Sequence, residues 1–318
     1  MARKVGVFLL FLSLTLPTAQ ARDIALSFDD APSGQTEAFS GPERTKTLIR
    51  KLDSLGIEEV VFFCVTERLQ WHDGKWRLKA YADAGHLIAN HTHSHRHPHE
   101  LGAAKHIEDI ALAHSLLKEF PNFRQWFRFP YLDQGNTIPL RDSIRAGLRD
   151  LEYRQGYVTV DTYDWYLNGH FRDSCCNRSI HIDTNALRDI YVQTISDAAD
   201  FYAALAIEVL QYEPKHVLLL HENDLAALFI DDLVTELRNR GWSIISPTEA
   251  YRDRLTTIIP EGLMTNQGRV AAIAADRGYS GELRHFSEDA DFLDRLLIDR
   301  KVFTRWRSIP RWPGEQSE

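Results

Sequence analysis

The sequence has few cysteines and few long apolar runs. Its three cysteines, Cys64, Cys175 and Cys176, are too few and too unevenly spaced for a disulfide framework. Cys64 lies in the apolar run 60–65 and is expected to be a buried small hydrophobe. After the N-terminus, no apolar run has the length of a membrane-spanning helix. These scarcities indicate a globular chain that is stabilised by its core and not by cross-links.

Basic residues are also under-represented. The chain has 37 Lys and Arg against 45 Asp and Glu, a formal net charge of -8 at pH 7. An acidic balance of this size argues against nucleic acid as a partner. It places no restriction on a neutral sugar polymer.

The N-terminal 21 residues have the pattern of a secretory signal peptide. Arg3 and Lys4 precede the apolar run 5–16, and small residues follow at 19–21. We therefore expect an exported chain, periplasmic or extracellular, that begins near residue 22 and has no stable membrane insertion after cleavage. An uncleaved membrane anchor is the alternative.

Short apolar runs alternate with segments of helical period, the pattern of a parallel sheet covered by helices. The predicted strands are 24–28, 60–63, 86–89, 126–129, 157–160, 216–220 and 242–245. The predicted helices are 45–55, 103–120, 185–212 and 225–240. Seven strands indicate an α/β fold, a distorted, incomplete (β/α) barrel, with a doubly wound open sheet as the alternative. We expect this domain at 22–261 and a C-terminal helical extension at 262–318.

The densest group of candidate ligands is the histidine cluster at 91–95. His91 and His95 are four residues apart, so on a helical turn they would share one face and could bind the same metal ion. The neighbourhood is rich in histidine, and a solvated loop is the alternative.

Two adjacent carboxylates, Asp29 and Asp30, close the first predicted strand. Such a pair is costly without a cation or a shared proton. Pro32 and Gly34 follow, and they break the strand so that both side chains can turn inward. A solvent-exposed acidic turn is the alternative.

Polar groups also follow three later strands. They are the segments 128–131, 161–165 and 221–224. The carboxyl ends of the strands of a β/α barrel open on one face, so these residues can converge although they lie far apart in the sequence.

In this arrangement the chain resembles the polysaccharide deacetylases, the NodB homology domain of carbohydrate esterase family four. The five motifs appear in order as Ser-Phe-Asp-Asp at 27–30, His-Thr-His-Ser-His at 91–95, Arg-Phe-Pro-Tyr at 128–131, Asp-Thr-Tyr-Asp-Trp at 161–165, and a Leu-rich strand that ends at His221. The sequence departs from the family at Ser27, where threonine is commoner, and at Leu132, where glycine is frequent.

The resemblance implies a role for each motif residue. Asp30, His91 and His95 would bind a divalent metal, most simply Zn²⁺, with Co²⁺, Ni²⁺ or Fe²⁺ as alternatives. Asp29 would be the general base and His221 the general acid. Arg128 would orient Asp29. Asp164, in preference to Asp161, would orient His221 and stabilise its charge. The backbone N–H at Tyr131 would stabilise the oxyanion, and Trp165 would be the tryptophan of the substrate pocket.

The implied reaction is removal of N-acetyl groups from a hexosamine-containing glycan such as peptidoglycan or a chitin-like polymer. Its substrate partner would be that acetylated glycan. The alternatives are an O-acetyl esterase on xylan or a similar polymer, a small-molecule amidohydrolase, and a catalytically silent carbohydrate-binding relative.

Overall fold

The computed structural model describes residues 22–177, 179–263 and 266–304. The expected signal peptide at 1–21 lies outside these residues. Within the described ranges, no helix has the length and apolar character needed to cross a membrane.

The chain forms nine strands and eleven α-helices in the described residues. The strands are β1 Arg22–Ala31, β2 Val61–Cys64, β3 Leu87–Asn90, β4 Phe123–Phe127, β5 Arg154–Gln155, β6 His181–Ile182, β7 His216–His221, β8 Trp242–Ile244 and β9 Phe303–Thr304. The helices are α1 Gly41–Ser54, α2 Gly74–Asp83, α3 Pro98–Leu101, α4 Ala103–Leu117, α5 Ile138–Asp150, α6 Asp164–Cys175, α7 Thr184–Leu210, α8 Asp224–Asn239, α9 Pro247–Ala250, α10 Arg269–Asp276 and α11 Ala290–Asp299.

Seven parallel strands form one sheet in the order β5-β4-β3-β2-β1-β7, with β8 paired to the start of β1. The β2 and β3 strands are buried along their whole length, as expected for a sheet covered on both faces. The short strands β6 and β9 form a separate antiparallel pair. The predicted incomplete barrel is therefore confirmed.

One short segment, residues 154–160, reaches both edges of the curled sheet. At its start, the Gly156 N–H donates to Phe127 O of β4 at 2.7 Å. At its end, the Thr159 and Val160 N–H groups donate to Val217 O of β7 at 3.0 and 3.1 Å. Within a few residues the segment therefore connects β5, at one edge of the sheet, to β7 at the other.

Two predicted strands differ from the observed ones. The fourth is Phe123–Phe127 and not 126–129, because residues after Phe127 leave the sheet toward Pro130. The predicted strand 157–160 forms only an isolated bridge, Val160 to Leu218, because this segment passes from one edge of the sheet to the other. The four predicted helices correspond to α1, α4, α7 and α8, whereas α2, α5 and α6 were not expected.

The C-terminal part packs on the barrel. Val270, Ala271 and Ile273 of α10 and Leu297 of α11 are buried in the same hydrophobic cluster as the strands. The Arg269 N–H donates to Val158 O at 2.8 Å, next to the segment that joins the sheet edges. The start of a separate extension at 262 remains a prediction.

Gly156 has no room for a side chain. A Cβ atom at this position would overlap the ring of Phe63. We expect Gly156→Ala to lower the free energy of unfolding by about 1–3 kcal/mol, because an overpacked site must move backbone or ring. Gly169 of α6 has no atom within 4 Å of its added Cβ, so Gly169→Ala should be neutral or stabilising by about 1 kcal/mol. Urea unfolding measures both; equal effects would contradict the packing argument.

Candidate active site

The adjacent carboxylates Asp29 and Asp30 lie where β1 leaves the sheet. Pairing of β1 with β2 shifts register between Phe28 and Ala31. Asp30 has φ 68°, in the left-handed region that aspartate adopts more readily than most residues. This turn brings both carboxylates to His91 Nε2, with Asp29 Oδ2 at 3.6 Å and Asp30 Oδ1 at 3.9 Å. In a regular strand two adjacent side chains would point to opposite faces of the sheet. Because of this turn, the side chains of Asp29 and Asp30 both lie near His91.

Asp30, His91 and His95 place three donor atoms around one point. Each offers an atom within 4.8 Å of the other two, and Asp30 Oδ1 lies 3.0 Å from His95 Nε2. Within the described residues the buried Asp30 Oδ1 accepts no hydrogen bond, although His95 Nε2 lies close to it. His91 Nδ1 pairs with the Arg128 carbonyl oxygen at 2.8 Å, which leaves Nε2 toward the carboxylates. These groups fit a divalent cation.

The two histidines do not share a helical turn, so that expectation is wrong. Residues 91–95 form a loop with positive φ at Thr92 and His95, 71° and 55°. The Asn90 side chain accepts from Thr92 N at 2.8 Å, and Thr92 Oγ1 accepts from His95 N at 2.9 Å. Local hydrogen bonds, and not helical spacing, bring the two imidazoles together.

Arg128 is buried behind Asp29 and fixes it. Its Nη1 donates to Asp29 Oδ1 at 2.5 Å and to Ser27 Oγ at 2.9 Å. Its Nε donates to Gly156 O at 2.7 Å, and Nη2 to the Tyr251 hydroxyl at 3.1 Å. All three guanidinium nitrogens thus donate hydrogen bonds, which offsets the cost of burying the cation. Asp29 is left with Oδ2 toward His91.

Asp29 and Asp30 have different proton affinities. Burial raises the pKa of Asp29 above its usual value, against the opposing charge of Arg128. Burial acts on Asp30 in the same direction, but His95 and Arg68 outweigh it, and the pKa of Asp30 is held well below its usual range. Asp30 therefore suits an ionised ligand, and Asp29 suits a proton acceptor.

His221, which is partly exposed, pairs with the buried Asp164 on the other side of the site. His221 Nδ1 pairs with Asp164 Oδ1 at 2.6 Å, while Asp164 Oδ2 accepts from the His221 backbone N–H and from Asn223 Nδ2, both at 2.9 Å. Burial alone lowers the pKa of His221, but Asp164 outweighs it and raises the pKa to about 9. The imidazole is therefore protonated at neutral pH and can donate a proton.

Asp161, the other carboxylate of this motif, has a different setting. Its Oδ1 accepts from the Thr162 N–H at 2.8 Å. Burial and then the nearby Glu288 raise the pKa of Asp161 well above its usual range. The structure places Asp164, and not Asp161, in hydrogen-bond contact with His221.

A groove of about 800 Å³ runs from Asp30 and His221 along α6. Trp165 lines it, as does the partly exposed Trp71, which the sequence argument missed. Tyr131 lies outside this lining, beyond His95, with ring centroids 4.7 Å apart. The predicted aromatic residues therefore flank the cation-binding group from different sides.

Arg68 is a further missed residue of the groove. Its Nη1 donates to Asp30 O at 2.6 Å and lies 3.8 Å from Asp30 Oδ1. Arg68 lies in the short 3-10 helix Thr66–Gln70 that follows β2, so its place near a strand end was a signal in the sequence.

A buried charge network lies beneath the loop that follows Asp30. Glu222 accepts two hydrogen bonds from Arg77 Nη2, at 2.9 and 2.7 Å, one from the Tyr81 hydroxyl at 2.8 Å and one from Ser33 N at 2.7 Å. Arg77 Nη1 also donates to Ser33 O at 2.6 Å. The network fixes this loop. Glu222 has no predicted role from the sequence, although the segment 221–224 is a predicted part of the site.

A second pair extends the network. Arg44 Nε and Nη2 contact Asp224 Oδ1 at 2.8 and 2.6 Å, and Asp224 Oδ2 accepts from Thr36 Oγ1 at 2.7 Å. The loop is therefore held at Ser33 and at Thr36.

Comparison with known proteins identifies the first half of the barrel. Residues 17–155 match the sequence model of the polysaccharide deacetylase family. This range contains Asp29, Asp30, His91, His95 and Arg128, and it ends before Asp164. The resemblance inferred from the motifs is therefore confirmed. No significant match is found among curated proteins.

Several solved structures are similar in fold. The family 4 carbohydrate esterase from Streptomyces lividans in complex with acetate is 22% identical, with a TM-score of 0.47, over 72% of this chain and 95% of that chain. The Bc1960 peptidoglycan N-acetylglucosamine deacetylase is 18% identical, with a TM-score of 0.50, over 73% and 89%. The peptidoglycan deacetylase PdaC from Bacillus subtilis is 18% identical, with a TM-score of 0.47, over 73% and 91%. At 18% identity, the likeness to the Bc1960 structure is one of fold alone.

The pKa of His221 should depend on Asp164. In metal-free protein we expect an NMR titration to give a pKa of about 9 for the His221 imidazole. Asp164→Asn should lower this pKa toward the usual histidine value of about 6.5, because Asp164 is the largest of the carboxylates that oppose the effect of burial. The matched change Asp161→Asn should leave it near 9, since Asp164, and not Asp161, contacts the His221 imidazole. Equal effects of the two substitutions, or a wild-type value near 6.5, would contradict this account.

Removing only Arg77 from the buried Arg77–Glu222 pair should strongly lower the free energy of unfolding. We expect Arg77→Met to reduce the free energy of unfolding by about 3–5 kcal/mol, because Glu222 is left charged and buried. Adding Glu222→Gln should recover part of the loss. In the same helix, Lys79→Met removes an exposed pair with Asp83 and should cost less than about 1 kcal/mol. Urea unfolding of the wild type and the three variants tests this; a double variant that is less stable than Arg77→Met would argue against the buried pair.

Proposed function

We propose that this chain, whose residues 17–155 match the polysaccharide deacetylase family, hydrolyses N-acetyl groups on a hexosamine-containing glycan and releases acetate. The observation that carries the proposal is the convergence of three functional groups on one groove. They are the cation-binding group Asp30–His91–His95, the Asp29–Arg128 pair and the Asp164–His221 pair.

Asp30, His91 and His95 would hold a divalent metal, for which Zn²⁺ is the first candidate and Co²⁺, Ni²⁺ and Fe²⁺ are alternatives. Bound there, the metal supplies Lewis acidity toward the acetyl carbonyl and lowers the pKa of water. The unsatisfied, buried Asp30 Oδ1 supports this assignment. The low pKa of Asp30 keeps its carboxylate available to a cation.

Asp29 would act as the general base. Arg128 holds Oδ1, so Oδ2 is the oxygen directed at the site. A water molecule beside it would transfer a proton to Asp29 while its oxygen bonds to the acetyl carbon. The raised proton affinity of this carboxylate supports the transfer.

His221 would act as the general acid. The carbon–nitrogen bond breaks as His221 gives its proton to the departing nitrogen. An amine is a poor leaving group unless it is protonated. Because the pKa of His221 is about 9, its imidazolium is available as a proton donor at neutral pH, which supports amide over ester cleavage. Asp164 would orient the ring and stabilise its charge.

The substrate would lie in the groove beside Trp165, with Tyr131 at the far side of the cation-binding group. Peptidoglycan or a chitin-like polymer is the substrate class that this arrangement supports. The signal-peptide pattern at 1–21 supports export to the periplasm or the medium, where such polymers are found.

Acetate release tests this function. We expect the metal-loaded protein to release acetate from chitin oligomers or peptidoglycan. Asp29→Asn and His221→Ala should each reduce the rate by about 10²–10⁴-fold, because proton transfer contributes that much. Asp83→Asn, which changes an exposed carboxylate of α2, is the control and should retain the rate.

Each other outcome is informative. Acetate from acetylxylan alone would replace the amide substrate with an ester. No acetate from any of the three polymers, or full activity in both active-site variants, would overturn the proposed hydrolase.

A further inference from the structure

A second group of ligating side chains lies outside the site described above. His97 Nδ1 is 2.9 Å and His99 Nδ1 is 3.7 Å from the same oxygen, Asp133 Oδ2. One donor atom from each of the three residues lies within 4.8 Å of the other two. None of the three has a role in the proposed reaction.

The spacing of these donors fits a metal ion. Ligands around a tetrahedral ion at about 2.0–2.1 Å lie roughly 3.3 Å from one another, and the two separations from Asp133 Oδ2 fall on either side of that value. A single hydrogen bond from His97 would account for the shorter separation, but not for the second imidazole directed at the same oxygen.

Asp133 is nearly buried and held by a backbone hydrogen bond, as metal ligands in proteins usually are. Its side chain is only 8% exposed, and Oδ1 accepts from the Gly135 N–H at 2.8 Å. This bond fixes the carboxylate plane and leaves Oδ2 toward the histidines, in the way that outer hydrogen bonds orient metal ligands. His99 is 45% exposed, so an ion and its remaining water ligands can reach the group from solvent.

We propose that His97, His99 and Asp133 form a second site for a divalent cation. Two imidazoles and one carboxylate are ligands that suit Zn²⁺, Ni²⁺ or Cu²⁺. The site is separate from Asp30–His91–His95, and the proposal does not depend on the deacetylase function.

The position of the second site gives it a structural consequence. His97 stacks on the Tyr131 ring at 4.0 Å between centroids, and Tyr131 meets His95 edge-on at 4.7 Å. His97 and His99 follow β3, whereas Asp133 follows β4. An ion here therefore links the loop that carries His91 and His95 to the segment that carries Tyr131, and it restrains Tyr131 between the two cation sites.

Metal stoichiometry of the full chain tests the second site. Metal-free protein is titrated with Zn²⁺ by calorimetry, and bound zinc is counted after gel filtration. We expect two ions per chain in the wild type, one in His99→Ala and one in Asp133→Asn. His99 is exposed, so its removal leaves folding intact, which circular dichroism checks. His181→Ala changes an exposed histidine in β6 and should keep both ions.

First-site variants separate the two proposals. His95→Ala should lose one ion and keep the other, and the double variant His95→Ala/His99→Ala should bind none. A wild type with one ion that His99→Ala retains would overturn the second site while leaving the first. Two ions retained in both His99→Ala and Asp133→Asn, or an ion lost in His181→Ala, would also overturn it.

Discussion

The buried guanidinium of Arg128 connects several segments of the barrel to Asp29 of the candidate active site. It contacts Ser27 and Asp29 at the end of β1, the Gly156 carbonyl in the segment that reaches both sheet edges, and the Tyr251 hydroxyl beyond β8. A cation buried this deeply is tolerated only where its donors are satisfied. The packing that satisfies Arg128 therefore also sets which oxygen of Asp29 faces the site.

The strand end at 221–224 serves both the groove and the packing beneath it. His221 faces the groove with Asp164, whereas Glu222 pairs with Arg77 in the interior and Asp224 pairs with Arg44. Each buried charge has a partner, which offsets the cost of removing it from water. These structural charges also hold residues 33–36, so they determine the path of the chain after Asp30.

Much of the barrel could be predicted from the sequence because strands buried on both faces are continuous apolar runs. The prediction was weakest where local pattern and tertiary contact disagree. Residues 157–160 have the composition of a strand, yet they pass between two sheet edges and form a single bridge. The α2 helix buries a charged residue, Arg77, beside Leu78 and Tyr81, so its apolar period is weak.

By itself the sequence determined which residues could form the site, because each polar motif directly follows an apolar strand and parallel strands end on one face. Only the tertiary structure decided how they meet. It turned Asp30 into a left-handed conformation, set Asp164 against His221, and brought Asp133 to a histidine pair from a different strand end. Such contacts depend on the curvature of the sheet and on loop conformation, and both are set by packing between distant segments and not by local pattern.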